Sequence, residues 1–187
     1  MTDMLRLPHI LKLAVAAVMF AILGGVAVAQ DRLDGLMQEL READATAAQR
    51  ISGEIELLWR KSGSASADFL LKRGLDALER GEVEAAVDHL SALTDHAPEF
   101  AEGWVSRAGA FVRMGYYGMA LSDLEHALAI NPQHYEAIYG LGVILETIGR
   151  PADAFEAMEL LQTIHPHYPD LSETMARLEP LAKGQTL

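Results

Sequence analysis

The chain has 187 residues, half of them hydrophobic, 6% aromatic and 22% charged, which is the composition of a folded protein rather than a disordered one. Its net charge of −12 disfavours nucleic acid and anionic lipid as partners, because their phosphates repel it, and favours basic or neutral protein surfaces. The absence of cysteine excludes disulfides, thiolate catalysis and cysteine-ligated metal centres.

Residues 1–29 have the layout of an export signal. Basic residues precede an uncharged apolar run over 13–29, which ends in Ala27-Val28-Ala29. Signal peptidase requires small residues at the third and first positions before the cleaved bond, and Ala27 and Ala29 occupy these positions. We therefore expect cleavage after Ala29 and a location in the periplasm. The alternative is an uncleaved anchor in the inner membrane that faces the periplasm, because the apolar run reaches the short limit of a membrane span. Contact with a membrane is expected only through such an anchor.

Residues 30–66, here called the preamble, predict two amphipathic helices followed by a short linker. Asp44 is an N-cap candidate between the helices, and the small residues of 62–66 form a break before the next segment. Apolar residues recur at helical spacing in two stripes. The stripes consist of Leu33, Leu36, Met37 and Leu40, and of Ile51, Ile55, Leu58 and Trp59.

Residues 67–168 contain a repeat with a period of 34, because the segments 67–100, 101–134 and 135–168 align without a gap. A glycine in mid-segment suits the end of a helix, and a proline near the end suits a loop. A recurrent alanine predicts a close helix crossing, with a bulky apolar residue four positions later. The recurrent residues are Gly81, Gly115 and Gly149; Pro98, Pro132 and Pro166; Ala86, Ala120 and Ala154; and Leu90, Leu124 and Met158.

This pattern resembles the tetratricopeptide repeat (TPR). That repeat has a large residue early in its first helix, and the corresponding residues here are Leu70, Trp104 and Ile138. It has a small residue four positions later, and the corresponding residues are Gly74, Ala108 and Gly142. Arg73 and Arg107 depart from the usual leucine, and we expect them to loosen their repeats. The combination of export signal, preamble and repeats is also similar to periplasmic TPR proteins of alphaproteobacteria, a family without a settled function.

The resemblance implies an all-α fold, a short right-handed α-solenoid of three TPR helix pairs with N-terminal amphipathic helices. Residues 169–187 predict a capping helix, because Leu171, Met175 and Leu178 recur at helical spacing and would cover the apolar edge of the third pair.

No motif for a nucleophile, a bound phosphate or a metal is present in the sequence. His165-Pro166-His167 offers two imidazoles without a third spaced ligand, so we interpret both as loop histidines. His134 is interpreted as an ordinary histidine near a helix C-terminus. We therefore predict that the protein is not an enzyme and has no cofactor and no metal site.

The resemblance also implies a concave groove lined by the first helix of each pair. Residues that face inward would form an apolar trough with an acidic row along one edge. Two alternatives are that each acid only complements its own helix N-terminus and that the preamble fills the groove. The predicted partner-binding residues are Asp68, Leu71, Leu75, Glu102, Val105, Gly109, Val112, Glu136, Tyr139, Val143 and Glu146.

These observations predict an extracytoplasmic protein–protein interaction module, a TPR scaffold or adaptor. It would hold an apolar and basic peptide or helical segment of another protein in the groove. The alternative function is that of an accessory or assembly factor for envelope or cytochrome biogenesis.

Overall fold

The computed structural model describes residues 30–184, so the predicted export signal lies outside the described residues. The described part of the chain contains nine α-helices and no strand, which confirms the all-α fold class. None of these helices combines the length and the apolar character that crossing a bilayer requires. The helices are α1 (30–42), α2 (Ala45–Trp59), α3 (Ala65–Glu79), α4 (Val83–His96), α5 (Ala101–Arg113), α6 (Tyr117–Ile130), α7 (Tyr135–Thr147), α8 (Pro151–Ile164) and α9 (Leu171–Ala182).

Glycine ends the first helix of each repeat. Gly81, Gly115 and Gly149 have φ angles of 76°, 76° and 80°, in the left-handed region that glycine adopts without strain. After α3, the N–H of Glu82 donates to the carbonyl of Ala77, and the N–H of Gly81 donates to that of Leu78. These two bonds form a Schellman motif, which closes the helix and turns the chain into its partner helix.

The two helices of each pair cross closely, as the alanine pattern predicts. Ala86, Ala120 and Ala154 are fully buried. A Cβ atom placed on Gly74 of α3 would lie 2.5 Å from Cγ of Leu90 in α4, so this crossing has no room for a methyl group. Small residues on the facing helices therefore set the distance between them.

Arg107 makes a buried polar contact where the sequence predicts a loosened repeat. Its Nε and Nη2 atoms donate to the two carboxylate oxygens of Asp123 on α6 at 2.7 and 2.8 Å, and Nη1 donates to Thr94 Oγ1 at 2.9 Å. Only 16% of the Arg107 side chain and 7% of the Asp123 side chain are exposed. The prediction is wrong at Arg107, because its guanidinium joins α4, α5 and α6.

The third repeat packs against both the capping helix and the preamble. Leu171 and Leu178 of α9 are buried in the same apolar core as Met158 of α8, so α9 caps the array as expected. The preamble joins this core as well. Its buried members are Leu36, Met37 and Leu40 of α1, with Ala48, Ile51, Ile55 and Trp59 of α2.

The concave groove and the preamble helix beside it

The residues predicted to line the concave groove lie on the first helices α3, α5 and α7. Leu71 is buried, whereas Leu75, Val105, Val112, Tyr139 and Val143 are half-buried. Gly109 is exposed, and a Cβ atom added to it would meet no atom of the described residues within 4 Å. Apart from Leu71, the apolar residues predicted for the groove therefore retain accessible surface, and the position of Gly109 is open.

Helix α2 lies against the beginning of α7. The Trp59 ring stacks on His134 with the centroids 4.1 Å apart and an angle of 23° between the planes, and it contacts the Tyr135 ring at 4.6 Å. The hydroxyl of Tyr135 donates to the carbonyl of Ser52 at 3.1 Å. The preamble thus covers the end of the predicted groove at which α7 begins.

Glu102 and Glu136 lie at this covered end. Glu102 is only 6% exposed, and its Oε2 atom accepts a hydrogen bond from His134 Nε2 at 3.2 Å. Arg60 Nε is 4.0 Å from its other oxygen. Burial, followed by repulsion from Glu102 and Glu56, raises the pKa of Glu136 to about 7.

The remaining predicted acids also make contacts within the chain. Asp68 accepts hydrogen bonds from the N–H and the hydroxyl of Ser62, at 2.8 and 2.6 Å, and so fixes the linker before α3. Glu146 pairs with Arg177 of the capping helix. The sequence predicts an acidic row open to a partner, but Asp68, Glu102 and Glu146 are engaged inside the chain.

His134 differs from its sequence interpretation, because it is the N-cap of α7. Its Nδ1 atom accepts a hydrogen bond from the N–H of Ala137 at 3.4 Å, so the ring proton is on Nε2 and faces Glu102.

Ligand atoms of Glu102, His134 and Glu136 lie within 4.8 Å of one another. The 34-residue spacing of the two glutamates is the signal by which the sequence could have indicated this cluster.

A cavity of about 990 Å³ adjoins the cluster. It lies between the preamble and the loops that precede α5 and α7, and Trp59, Glu102 and His134 are among the residues that line it. Solvent and small ions therefore have a route to the buried side chains.

His165 and His167 lie in different environments. His165 is 2% exposed, and the rings of Tyr135 and Tyr168 approach it edge-on. Within residues 30–184, its Nδ1 atom has no hydrogen-bond partner. Burial and the nearby His167 lower the pKa of His165 to about 4. His167 is exposed.

The helix pairs, their glycine turns and the 34-residue period define an α-helical repeat scaffold. A family model described as tetratricopeptide repeat matches residues 71–117 and 108–169. A TPR repeat-containing protein of Rhizobium etli is 36% identical over 159 residues, which cover 84% of this chain and 78% of that protein. The chain belongs to the tetratricopeptide-repeat family, whose fold is generally a non-enzymatic scaffold for protein–protein interaction.

Two solved structures illustrate the similarity of fold. The first TPR domain of Spaghetti (RPAP3), bound to the HSP90 peptide SRMEEVD, has a TM-score of 0.60 and 21% identity over 62% of this chain and 92% of that domain. The type III secretion chaperone SycD of Yersinia enterocolitica, in complex with a peptide of the translocator YopD, has a TM-score of 0.56 and 16% identity. That similarity covers 65% of this chain and 93% of SycD.

Proposed function

We propose that this protein is an extracytoplasmic interaction module that holds a peptide or a helical segment of a partner protein in its concave groove. The observation that carries the proposal is the set of accessible residues on the first helices, spaced 34 residues apart. Leu75, Gly109 and Val143 occupy one such set, on α3, α5 and α7. A set repeated on parallel helices suits an elongated ligand.

The chemistry of the groove favours an apolar partner segment with basic residues. Leu75, Val105 and Val112 offer apolar contact, which would supply most of the affinity. The net charge of −12 attracts basic segments and raises their rate of encounter. The HSP90 peptide bound by Spaghetti contains two glutamates and an aspartate, so we expect a different class of ligand here.

The export signal predicted over 1–29 supports the location that we propose. If the signal is cleaved, the partner would be a protein of the periplasm. If it remains as an anchor, the groove would face the same compartment, and periplasmic domains of membrane proteins would also be accessible to it.

Helix α2 would limit the length of the segment that the groove accepts. It is held over the beginning of α7 by Trp59 and by the bond from Tyr135 to Ser52. The part of the groove around Gly109 and Val112 is not sealed in this way, since Gly109 is exposed. We propose that the partner binds there, alongside α2.

Two glycines allow a matched test. Gly109 on α5 and Gly118 on α6 are both exposed, and in the part of the chain that the structure describes a Cβ atom on either would meet nothing within 4 Å. Gly109→Trp would insert a large ring into the groove, whereas Gly118→Trp would place the same ring on a second helix. The wild type and each variant would be crosslinked to their neighbours in the periplasm and purified. The proteins retained with each of them would then be identified.

The proposal predicts that one protein is retained by wild type and Gly118→Trp and is lost from Gly109→Trp. Helical content and thermal unfolding should be native-like in both variants, because neither ring enters the core. Equal retention by the two folded variants would place the binding surface outside the groove.

A further inference from the structure

Three side chains from adjacent repeats converge beneath Trp59. Glu102 lies in the first turn of α5, Glu136 lies in the first turn of α7, and His134 caps α7. We propose that Glu102, His134 and Glu136 bind one divalent transition-metal ion of the Zn²⁺ type, and that this ion ties α5 to α7 under the preamble. This site is separate from the interaction function proposed above.

The donor set suits such an ion. An imidazole nitrogen and carboxylate oxygens bind Zn²⁺ at about 2.0–2.2 Å, which places tetrahedral ligand atoms about 3.4 Å apart. His134 Nε2 and Glu102 Oε2 are already 3.2 Å apart. All three ligand atoms lie within 4.8 Å, so a small rotation of the Glu136 side chain completes the arrangement.

The charge balance of the cluster favours a cation. Glu102 is buried and Glu136, close to it, is half-buried, with Glu56 nearby. The described residues give Glu136 no hydrogen bond or ion pair. The guanidinium of Arg60 is half-exposed and no nearer than 4.0 Å to Glu102. The positive ends of α5 and α7 offset part of the repulsion between the carboxylates, and a divalent cation would offset the rest.

The surroundings leave room for a fourth ligand. The neighbouring cavity admits water to Glu102 and His134. The Trp59 ring stacks on His134, and its buried Nε1–H has no hydrogen-bond partner in the described part of the chain. The cavity thus leaves space for a water molecule as the fourth ligand of the ion.

Metal binding would change the tautomer of His134. At present Nδ1 accepts the N–H of Ala137 at 3.4 Å and Nε2 carries the proton. Coordination through Nε2 requires the proton to move to Nδ1, which can then no longer accept the long bond from the N–H of Ala137. The shift of the proton between ring nitrogens is therefore a specific signature of this site.

The test is titration of the untagged, chelator-treated full chain with Zn²⁺, followed by calorimetry and by ¹⁵N detection of the histidine rings. Glu136→Gln removes one ligand charge at a half-buried position and keeps the shape of the side chain. Glu84→Gln is the matched control, because Glu84 is an exposed glutamate in the first turn of α4. His167→Gln removes the exposed loop histidine that could bind zinc adventitiously.

We expect wild type, Glu84→Gln and His167→Gln to bind one equivalent of Zn²⁺ and to move the His134 proton to Nδ1. Glu136→Gln should bind at least tenfold more weakly, with native helical content by circular dichroism. Should Glu136→Gln fail to fold, Glu102→Gln replaces it with the same expectation. Absence of saturable binding, equal binding by the ligand variants, or loss of binding in His167→Gln would overturn the proposal.

Discussion

Two glycines on neighbouring first helices should respond in opposite directions to the same substitution. Gly74→Ala places a methyl group 2.5 Å from Cγ and 2.6 Å from Cδ2 of Leu90, whose side chain is fully buried. Cγ is the branch point of the leucine side chain, so it cannot move away by rotation of the outer methyl groups alone. To relieve the clash, α3 and Leu90 must move apart by about 1 Å in a packed core. Gly109→Ala places its methyl group in open space.

The magnitudes follow from these two environments. Overpacking costs about 1–3 kcal/mol, and alanine recovers roughly 0.5–1 kcal/mol of helix stability over glycine. We expect Gly74→Ala to lose about 1–2 kcal/mol and Gly109→Ala to gain about 0.5–1 kcal/mol. For a protein of this size each kcal/mol shifts the midpoint of thermal unfolding by about 2–4 °C.

The assay is thermal unfolding followed by circular dichroism, with both variants and wild type under identical conditions. Gly74→Ala should unfold below wild type and Gly109→Ala above it. A midpoint for Gly74→Ala equal to that of Gly109→Ala would show that α3 and α4 do not cross as closely as the structure indicates.

Further predictions concern packing, charge, pH and processing. Ala120→Leu should overpack the α5–α6 crossing and lower the free energy of unfolding by about 1–3 kcal/mol, which thermal unfolding measures. Arg107→Leu should lower the free energy of unfolding by about 3 kcal/mol or more, because it leaves Asp123 buried without its partner. Adding Asp123→Leu should recover most of that loss, and chemical denaturation measures both variants. Burial lowers the pKa of His165 from 6.5 to about 4, so the unfolded chain takes up a proton at a higher pH than the folded chain. The free energy of unfolding should therefore fall by at most about 3 kcal/mol as the pH drops from 6.5 towards 4. His165→Gln should make this dependence of stability on pH less steep. Intact mass should show that the native protein begins at Gln30, whereas a mass that includes residues 1–29 would indicate an anchor.

The repeat array could be predicted from sequence because its marks are local and periodic. A glycine that needs a positive φ and an alanine at a close crossing are each required by the backbone of one helix pair. When Gly81, Gly115 and Gly149 recur at one period, the turns follow without knowledge of distant contacts. The capping helix is predictable for a similar reason, since the last pair leaves an apolar edge uncovered.

The position of the preamble could not be predicted in this way. The stripe containing Ile55 and Trp59 indicates that α2 has a buried face, but it does not identify the surface that buries it. Tyr135 bonds to Ser52, which is 83 residues earlier, and no local pattern specifies that pairing. Glu102 contacts His134, on which Trp59 of the preamble stacks, so its burial could not be predicted from the sequence either.

Polar contacts between helices were missed for the same reason. Arg107 and Asp123 are 16 residues apart on different helices, and only the antiparallel packing of α5 and α6 brings them together. His134 belongs to the loop of one repeat, yet it meets Glu102 of the same repeat and Glu136 of the next. Of these contacts, only the proximity of Glu102 and Glu136 is indicated by the 34-residue period, because the two glutamates occupy the same position of successive repeats.

The central claim, that the concave groove holds a partner, is tested most directly by a photo-crosslinking amino acid placed at Gly109 and, separately, at Gly118. Both positions are exposed and have open space for the probe. Irradiation of periplasm should attach one protein through position 109 and leave position 118 unlinked. Adducts to the same protein at 118 and none at 109, with both variants folded, would contradict the claim and place the partner on the second helices.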